Sequence, residues 1–302
     1  MSEPTSAVAG PVPHPAKGKG TILILLGGMF LSTGGVLIRF LEVSDPWTVL
    51  FYRCISFVAL ALVVIFYRHR GRTVEAFRKT GMNGILLALT LGCGFSAYVF
   101  GMMLTTVANV SFIISAGPLC AAVLGWLILR ERVAPITCLV IAGAVVGMGL
   151  MFSDGMSTGQ LTGNLIALLA PITFGLMIVL IRRAGEVDML PATCMAGVVS
   201  GIAGFAFSGS LAVSQQDLLL LLFLGAGQLG LGFMLITVGT RYVPAAEAAL
   251  LALVESILAP ILAWLVVNEI PTPLALVGGI IVLSCVIIQG VVGVFSERRR
   301  VQ

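Results

Sequence analysis

PLCAAVLGWLILRERVAP, residues 118–135, returns 138 positions later as SILAPILAWLVVNEIPTP, residues 256–273. Trp126 answers Trp264 and Glu131 answers Glu269. A second pair, VLIRF at 36–40 and VLIRR at 179–183, is offset by 143. Two blocks at nearly one offset mean that the chain is built twice, each copy carrying an apolar run that ends in Glu and then Pro.

Working outward, what surrounds these blocks is apolar almost everywhere. Of 302 residues, 59% are hydrophobic and only 10% are charged, with a mean hydropathy of +1.11. A soluble domain carries about a quarter charged residues, so a water-soluble fold is excluded. Apolar stretches fall at 20–41, 46–67, 83–103, 106–129, 134–152, 161–181, 190–212, 217–239, 244–267 and 272–295. A helix needs roughly 20 such residues to cross a bilayer. The expected fold class is therefore an all-α membrane protein with ten transmembrane helices arranged as two inverted five-helix repeats. The first repeat covers 20–152 and the second 161–295, between a polar, disordered cytoplasmic tail at 1–19 and a basic cytoplasmic tail at 296–302. The first apolar run is too long for a signal peptide.

Arginine placement sets the expected orientation. Cytoplasmic loops hold the excess of Lys and Arg, and with the N-terminus inside, 15 of the 17 basic residues become cytoplasmic, Arg39 and Arg53 excepted. Both termini are then cytoplasmic in a multi-pass protein of a bacterial-type inner membrane. Five helices is an odd number, so the second copy enters from the opposite side, related to the first by a pseudo-two-fold axis in the membrane plane. The charges agree: the first copy ends its block with Arg130 and Arg132, the second with Val-Asn-Glu.

Some chemistries are excluded by what the chain lacks. His14 and His69 both sit in polar segments, and the six Cys lie inside apolar runs without C-x-x-C spacing, where free Cys acts as a small hydrophobe. We expect no metal, no cofactor and no catalytic residues. A membrane-embedded transferase would show paired Asp motifs or His with Ser near the interface; this chain does not, so that reading and a non-transporting scaffold rank last.

The paired blocks GWLILRERVAP and AWLVVNEIPTP, each followed by a Gly-rich helix (AGAVVGMGLMF, LVGGIIVLSCVIIQG), resemble the two EamA-type repeats of the drug/metabolite transporter superfamily over about 20–295. The resemblance implies a ten-helix secondary transporter with a substrate cavity between its halves, helices 5 and 10 outside, and alternating access by rocking. The family handles amino acids, nucleotide sugars, cationic drugs and other metabolites. It often carries a Glu where Glu255 stands.

An ionisable side chain deep in a bilayer is costly and usually faces a bundle interior or a watery cavity. Glu255, in LALVESILAP, is the central candidate; its counterpart Gly117 has no side chain. A carboxylate there can exchange protons, bind an amine-bearing substrate or do both in competition, and its structural alternative is a group that ties helices together. Arg53, in FYRCISF, can bind a carboxylate or balance Glu255, with snorkelling to the headgroups as the alternative. For Arg39 snorkelling is favoured. Glu247, after Pro244, reads as helix capping, and Glu131 and Glu269 as interfacial anchors.

Neutral groups complete the expected site: Gln228 in LGAGQLGLGF, Ser115 on one helix face with Ser111 and Pro118, and Asn109 at that helix's external end. Phe95, Tyr98, Tyr52 and Phe174 are candidates to stack on a ring or enclose an ammonium group. Gly34, Gly35 and Pro171 are candidate hinges. The expected function is a secondary active transporter moving a small polar metabolite, an amino acid or an amine, with a multidrug or aromatic-compound exporter as the alternative. Expected partners are the substrate, the lipid bilayer, a proton or other coupling ion, and a second copy of the chain in a candidate homodimer, but no nucleic acid.

Overall fold

The computed structural model describes residues 14–130, 135–185, 187–243 and 245–301. Ten helices in it are long and apolar enough to cross a membrane. They are span 1 (Gly18–Arg39), span 2 (Pro46–Arg68), span 3 (Gly81–Leu104), span 4 (Val107–Leu129), span 5 (Pro135–Thr158), span 6 (Leu161–Ala184), span 7 (Leu190–Phe207), span 8 (Gln215–Gly239), span 9 (Leu250–Val267) and span 10 (Pro273–Val292). No strand occurs among the described residues. All ten expected stretches are helical, with shifted ends. The first helix starts at His14, so residues 14–19, expected in a disordered tail, are helical. The last helix runs through the basic residues to Val301. Residues 1–13, Glu131 and Pro244 lie outside the described residues.

Capping explains several ends. Asp45 caps span 2, accepting from the amides of Trp47 and Thr48 at 3.2 and 3.1 Å, and Pro46 follows at the first helical position, where its missing N–H costs nothing. Burial works against the charge of Asp45, but the Thr48 hydroxyl and the amides of Trp47, Thr48 and Gly209 outweigh it and hold the carboxyl below the usual carboxylate range. Span 4 stops at Arg130 and span 9 at Asn268, both left-handed, with φ of 56° and 54°. These two positions are 138 residues apart, the offset of the repeated blocks.

Helix breaks also come in matching places. Span 4 is interrupted at Ala116 and span 9 at Leu253. Pro118 removes the amide that would reach Ile114 and helps break span 4; Pro171 does the same to span 6, whose two pieces part at Leu168. Span 8 widens into a π-helix at Phe223–Leu231.

Packing runs mostly between the halves. Span 2 packs on span 7, span 5 on span 10, span 3 on both 6 and 7, span 8 on both 1 and 2, span 1 on span 9 and span 4 on span 6. Exchanging spans 1–5 with 6–10 in order leaves this set of pairs unchanged, whereas the packing of span 4 on span 10 and of span 5 on span 6 has no counterpart of similar extent among the described residues. Spans 5 and 10 meet along glycines: a Cβ on Gly147 would lie 2.7 Å from the Gly278 carbonyl oxygen, so only glycine allows these backbones to approach so closely.

Candidate functional site

The side chains that matter reach one cavity of about 590 Å³ between the halves. Spans 2 and 3 supply Arg53, Phe95 and Tyr98; span 4 supplies Ser115; spans 6, 8 and 9 supply Phe174, Gln228 and Glu255. Seven of the nine expected binding residues therefore converge.

Arg53 is the largest fully buried side chain among the described residues. It is 1% exposed, far from the snorkelling conformation. Its Nη2 donates to Gln228 Oε1 at 3.3 Å, and its guanidinium carbon lies 4.7 Å from the centre of the Tyr98 ring, within cation–π range. Its Nε and Nη1 have no hydrogen-bond partner. A buried guanidinium with orphaned donors is expensive, so an anionic group entering the cavity meets donors already desolvated. Glu255 lines the same cavity without forming an ion pair with Arg53.

Gln228 gets to Arg53 because of the π-helical turn. The wider coil carries glycines at 225, 227 and 230, and a Cβ at Gly225 would strike the Arg53 carbonyl and the Ser56 hydroxyl. Single π turns in helices recur at functional sites. Gln228 Nε2 donates to the Leu31 carbonyl at 2.9 Å, so one amide joins spans 1, 2 and 8.

Two expected site residues lie elsewhere. Tyr52 donates its hydroxyl to the Leu211 carbonyl at 2.8 Å in the connection between spans 7 and 8. Asn109 is 1% exposed and donates to Thr105 Oγ1 and Asn164 Oδ1 at 3.1 and 3.2 Å, tying span 4 to span 6. Neither lines the cavity. Ser115 does, although its hydroxyl donates back to the Phe112 carbonyl at 2.6 Å. Gly34 and Gly35 lie inside an unbroken helix. A Cβ on Gly34 would press on the Tyr98 hydroxyl and lie 2.8 Å from Gln228 Nε2; that glycine is needed for close approach to the site.

Gln289, in VLSCVIIQG, escaped the sequence reading. It lines the cavity and its Oε1 is buried without a partner. The signal was available: like Gln228, it is a lone amide in an apolar run. Arg182, the repeat partner of Arg39, also lines the cavity, near its rim.

At the opposite end of the bundle, Arg39 and Glu269, expected as separate interfacial residues, form a 2.7 Å ion pair. The Arg39 Nη1 and Nη2 donate to the Met102 and Thr105 carbonyls, and Glu269 Oε1 accepts from the Val107 amide. Spans 1, 3 and 4 are thus bound to the 9–10 connection. Asp217 accepts from the Glu42 and Val43 amides at 3.0 and 2.9 Å, and the Thr272 hydroxyl donates to Asp154. No cavity-lining residue comes from the five connections at this end. Glu247, by contrast, sits in the first turn of its helix as expected of a capping acid.

Known proteins place this architecture. The solute carrier family 35 member G1 of Homo sapiens is 22% identical over 278 residues, covering 85% of this chain and 75% of that protein. Uncharacterized transporter YdfC of Bacillus subtilis (strain 168) is 25% identical over 205 residues, covering 63% and 67%. A solved crystal structure superimposes with a TM-score of 0.62 at 16% identity, over 89% of this chain and 96% of that one, a likeness of fold. The profile of the EamA-like transporter family matches residues 18–153 and 161–290. With nearly the whole of both halves matched, the chain belongs to the EamA-like transporter family.

Proposed function

We propose that this transporter is a secondary carrier for a small zwitterion of the amino-acid type, whose carboxylate binds Arg53 and whose ammonium binds Glu255. The observation that carries this reading is the buried Arg53 guanidinium, with two unpartnered nitrogens, lining the same cavity as an unpaired carboxylate. An opposite-charge pair held apart across a pocket is complementary to a molecule that carries both signs. Amine-only substrates would leave Arg53 unsatisfied. Glu255 is also the group that competes between proton and ammonium, linking the two fluxes.

In this reading the arginine-rich end is cytoplasmic, both termini with it, and the membrane is a bacterial-type inner membrane. The two halves are inverted copies, as the exchange of packing pairs and the paired left-handed ends at Arg130 and Asn268 support. The cavity reaches toward the cytoplasm through Arg182, Gln289 and Gly290, while the Arg39–Glu269 knot closes the outside. Alternating access requires that knot to open as the cytoplasmic end closes.

Phe95, Tyr98, Phe174 and Phe233 on the walls favour one further reading, an exporter of aromatic compounds. Thermal-shift binding of the purified protein against amino acids, quaternary amines, simple carboxylates and neutral aromatics separates the two. Zwitterion recognition predicts stabilisation by an amino acid that is lost in both Arg53→Gln and Glu255→Gln. Stabilisation by neutral aromatics that survives both substitutions would overturn it.

A further inference from the structure

The arginine-rich end carries a second hollow, of about 830 Å³, which transport through the central cavity does not use. It lies between the end of span 2 with the 2–3 connection, which supply Arg68, His69, Arg70, Arg72 and Lys79, and Asp188 from the 6–7 connection. The chain turns sharply here: Arg70 and Gly71 are consecutive left-handed residues, with φ of 50° and 83°, a conformation rare for a side chain such as Arg.

The charges do not balance. Arg68, Arg70, Arg72 and Lys79 face only Glu75 and Asp188, so the lining holds an excess of two formal positive charges. Asp188 is already engaged by Arg68 at 3.3 Å and His69 at 3.1 Å, and Glu75 by Lys79 at 2.8 Å. Arg70 and Arg72 form no ion pair among the described residues. An excess of two exceeds the single negative charge of a lipid phosphodiester and so favours an anionic headgroup. The positive-inside bias explains why such a loop is basic; it does not explain why the basic residues line one hollow together with a second loop.

What flanks the hollow says where the phosphate comes from. Phe66, Tyr67 and Val74 are 56%, 76% and 74% exposed beside it. Such apolar groups next to basic ones suit the zone where headgroups meet acyl chains. We propose that this hollow binds the phosphate of an anionic membrane lipid.

The test uses the full-length protein in detergent, titrated with phosphatidylglycerol, phosphatidylcholine, sodium phosphate and glycerol 3-phosphate while thermal unfolding is followed. Phosphatidylglycerol should raise the unfolding temperature and phosphatidylcholine should not. Arg70→Ala with Arg72→Ala should weaken the phosphatidylglycerol response roughly thirtyfold in concentration, each arginine near such a surface being worth about fivefold. Arg299→Ala with Arg300→Ala, which removes the same charge from the tail, should leave the response intact. Equal responses in both double variants and the parent would overturn the site. Protection by sodium phosphate or glycerol 3-phosphate at the lipid's potency would overturn the lipid as its ligand.

Discussion

The two ends of this bundle solve opposite problems with the same residue types. At the arginine-poor end, acidic and amide side chains are spent on cross-links: Glu269 to Arg39 and the Val107 amide, Asp217 to the amides of Glu42 and Val43, Asn109 to Thr105 and Asn164. At the arginine-rich end the lining of the central cavity runs out to Arg182 and Gly290. Between them Arg53 and Glu255 stand unpaired with each other. Buried polar groups are ordinarily satisfied; here the acids and the Asn109 amide nitrogen are satisfied where the halves are locked, although Asn109 Oδ1 has no partner, and Arg53 and Gln289 are left open where a ligand would enter.

The sharpest way to break the contrast is at its floor. Arg53→Gln keeps a donor on a shorter side chain but removes the charge, and should weaken substrate binding on the order of a hundredfold, as loss of a charge-assisted pair of hydrogen bonds implies; isothermal titration reads it. Unaltered affinity would make Arg53 a structural tie to Gln228 and Tyr98. Next comes the knot. Glu269→Gln removes the ion pair but retains an oxygen that can accept from the Val107 amide, and the external side should open more often. Labelling of Met102→Cys by an impermeant thiol reagent from outside, in a background without the native cysteines, should accelerate about tenfold, since severing a partly buried pair costs on the order of 1–2 kcal/mol. No acceleration would mean that other bonds hold that end.

Gly34 separates bending from contact. Because a methyl there presses on Tyr98 and Gln228, Gly34→Ala should weaken binding severalfold in the same titration. Slowed transport with intact binding would instead restore Gly34 as a hinge. The smallest effect belongs to the span 2 cap. Asp45→Ala should cost about 1 kcal/mol of stability at neutral pH. The Asp45 carboxyl is held below its ordinary range, so its contribution is fully present above the unfolded-state value and disappears as pH falls through the folded one. Parent and variant should therefore converge in unfolding temperature in acid; a constant gap would refute the assignment.

Helix number, helix order and doubling were legible because hydropathy and repetition are written at every position. The site was legible in part, for a physical reason that separates Glu255, Arg53 and Gln228 from Asn109 and Tyr52. A polar group in mid-bilayer has few ways to be satisfied, so its depth alone marks it. Near a helix end, a polar group has loops and neighbouring helix ends to bond, and sequence does not tell which it takes. Arg39 and Glu269 illustrate this: each reads as a separate interfacial residue, and their pairing across 230 positions follows only from the packing of span 1 against span 9. The π-helical turn that delivers Gln228 was equally out of reach, since glycines permit it without dictating it.

In the proposed orientation the cavity between the halves opens to the cytoplasm while the knot closes the outside. Ser115→Cys places a thiol on the cavity wall with little change in size. Impermeant thiol reagent applied to cysteine-free protein carrying this substitution, in inside-out and right-side-out vesicles, should label it at least about tenfold faster from the cytoplasmic side, as expected if the inward-open state lies more than 1.4 kcal/mol below the outward-open one. Gln216→Cys, at an exposed position in the first turn of span 8 at the arginine-poor end, should show the reverse. Equal or faster labelling of Ser115→Cys from outside would contradict a cavity open to the cytoplasm.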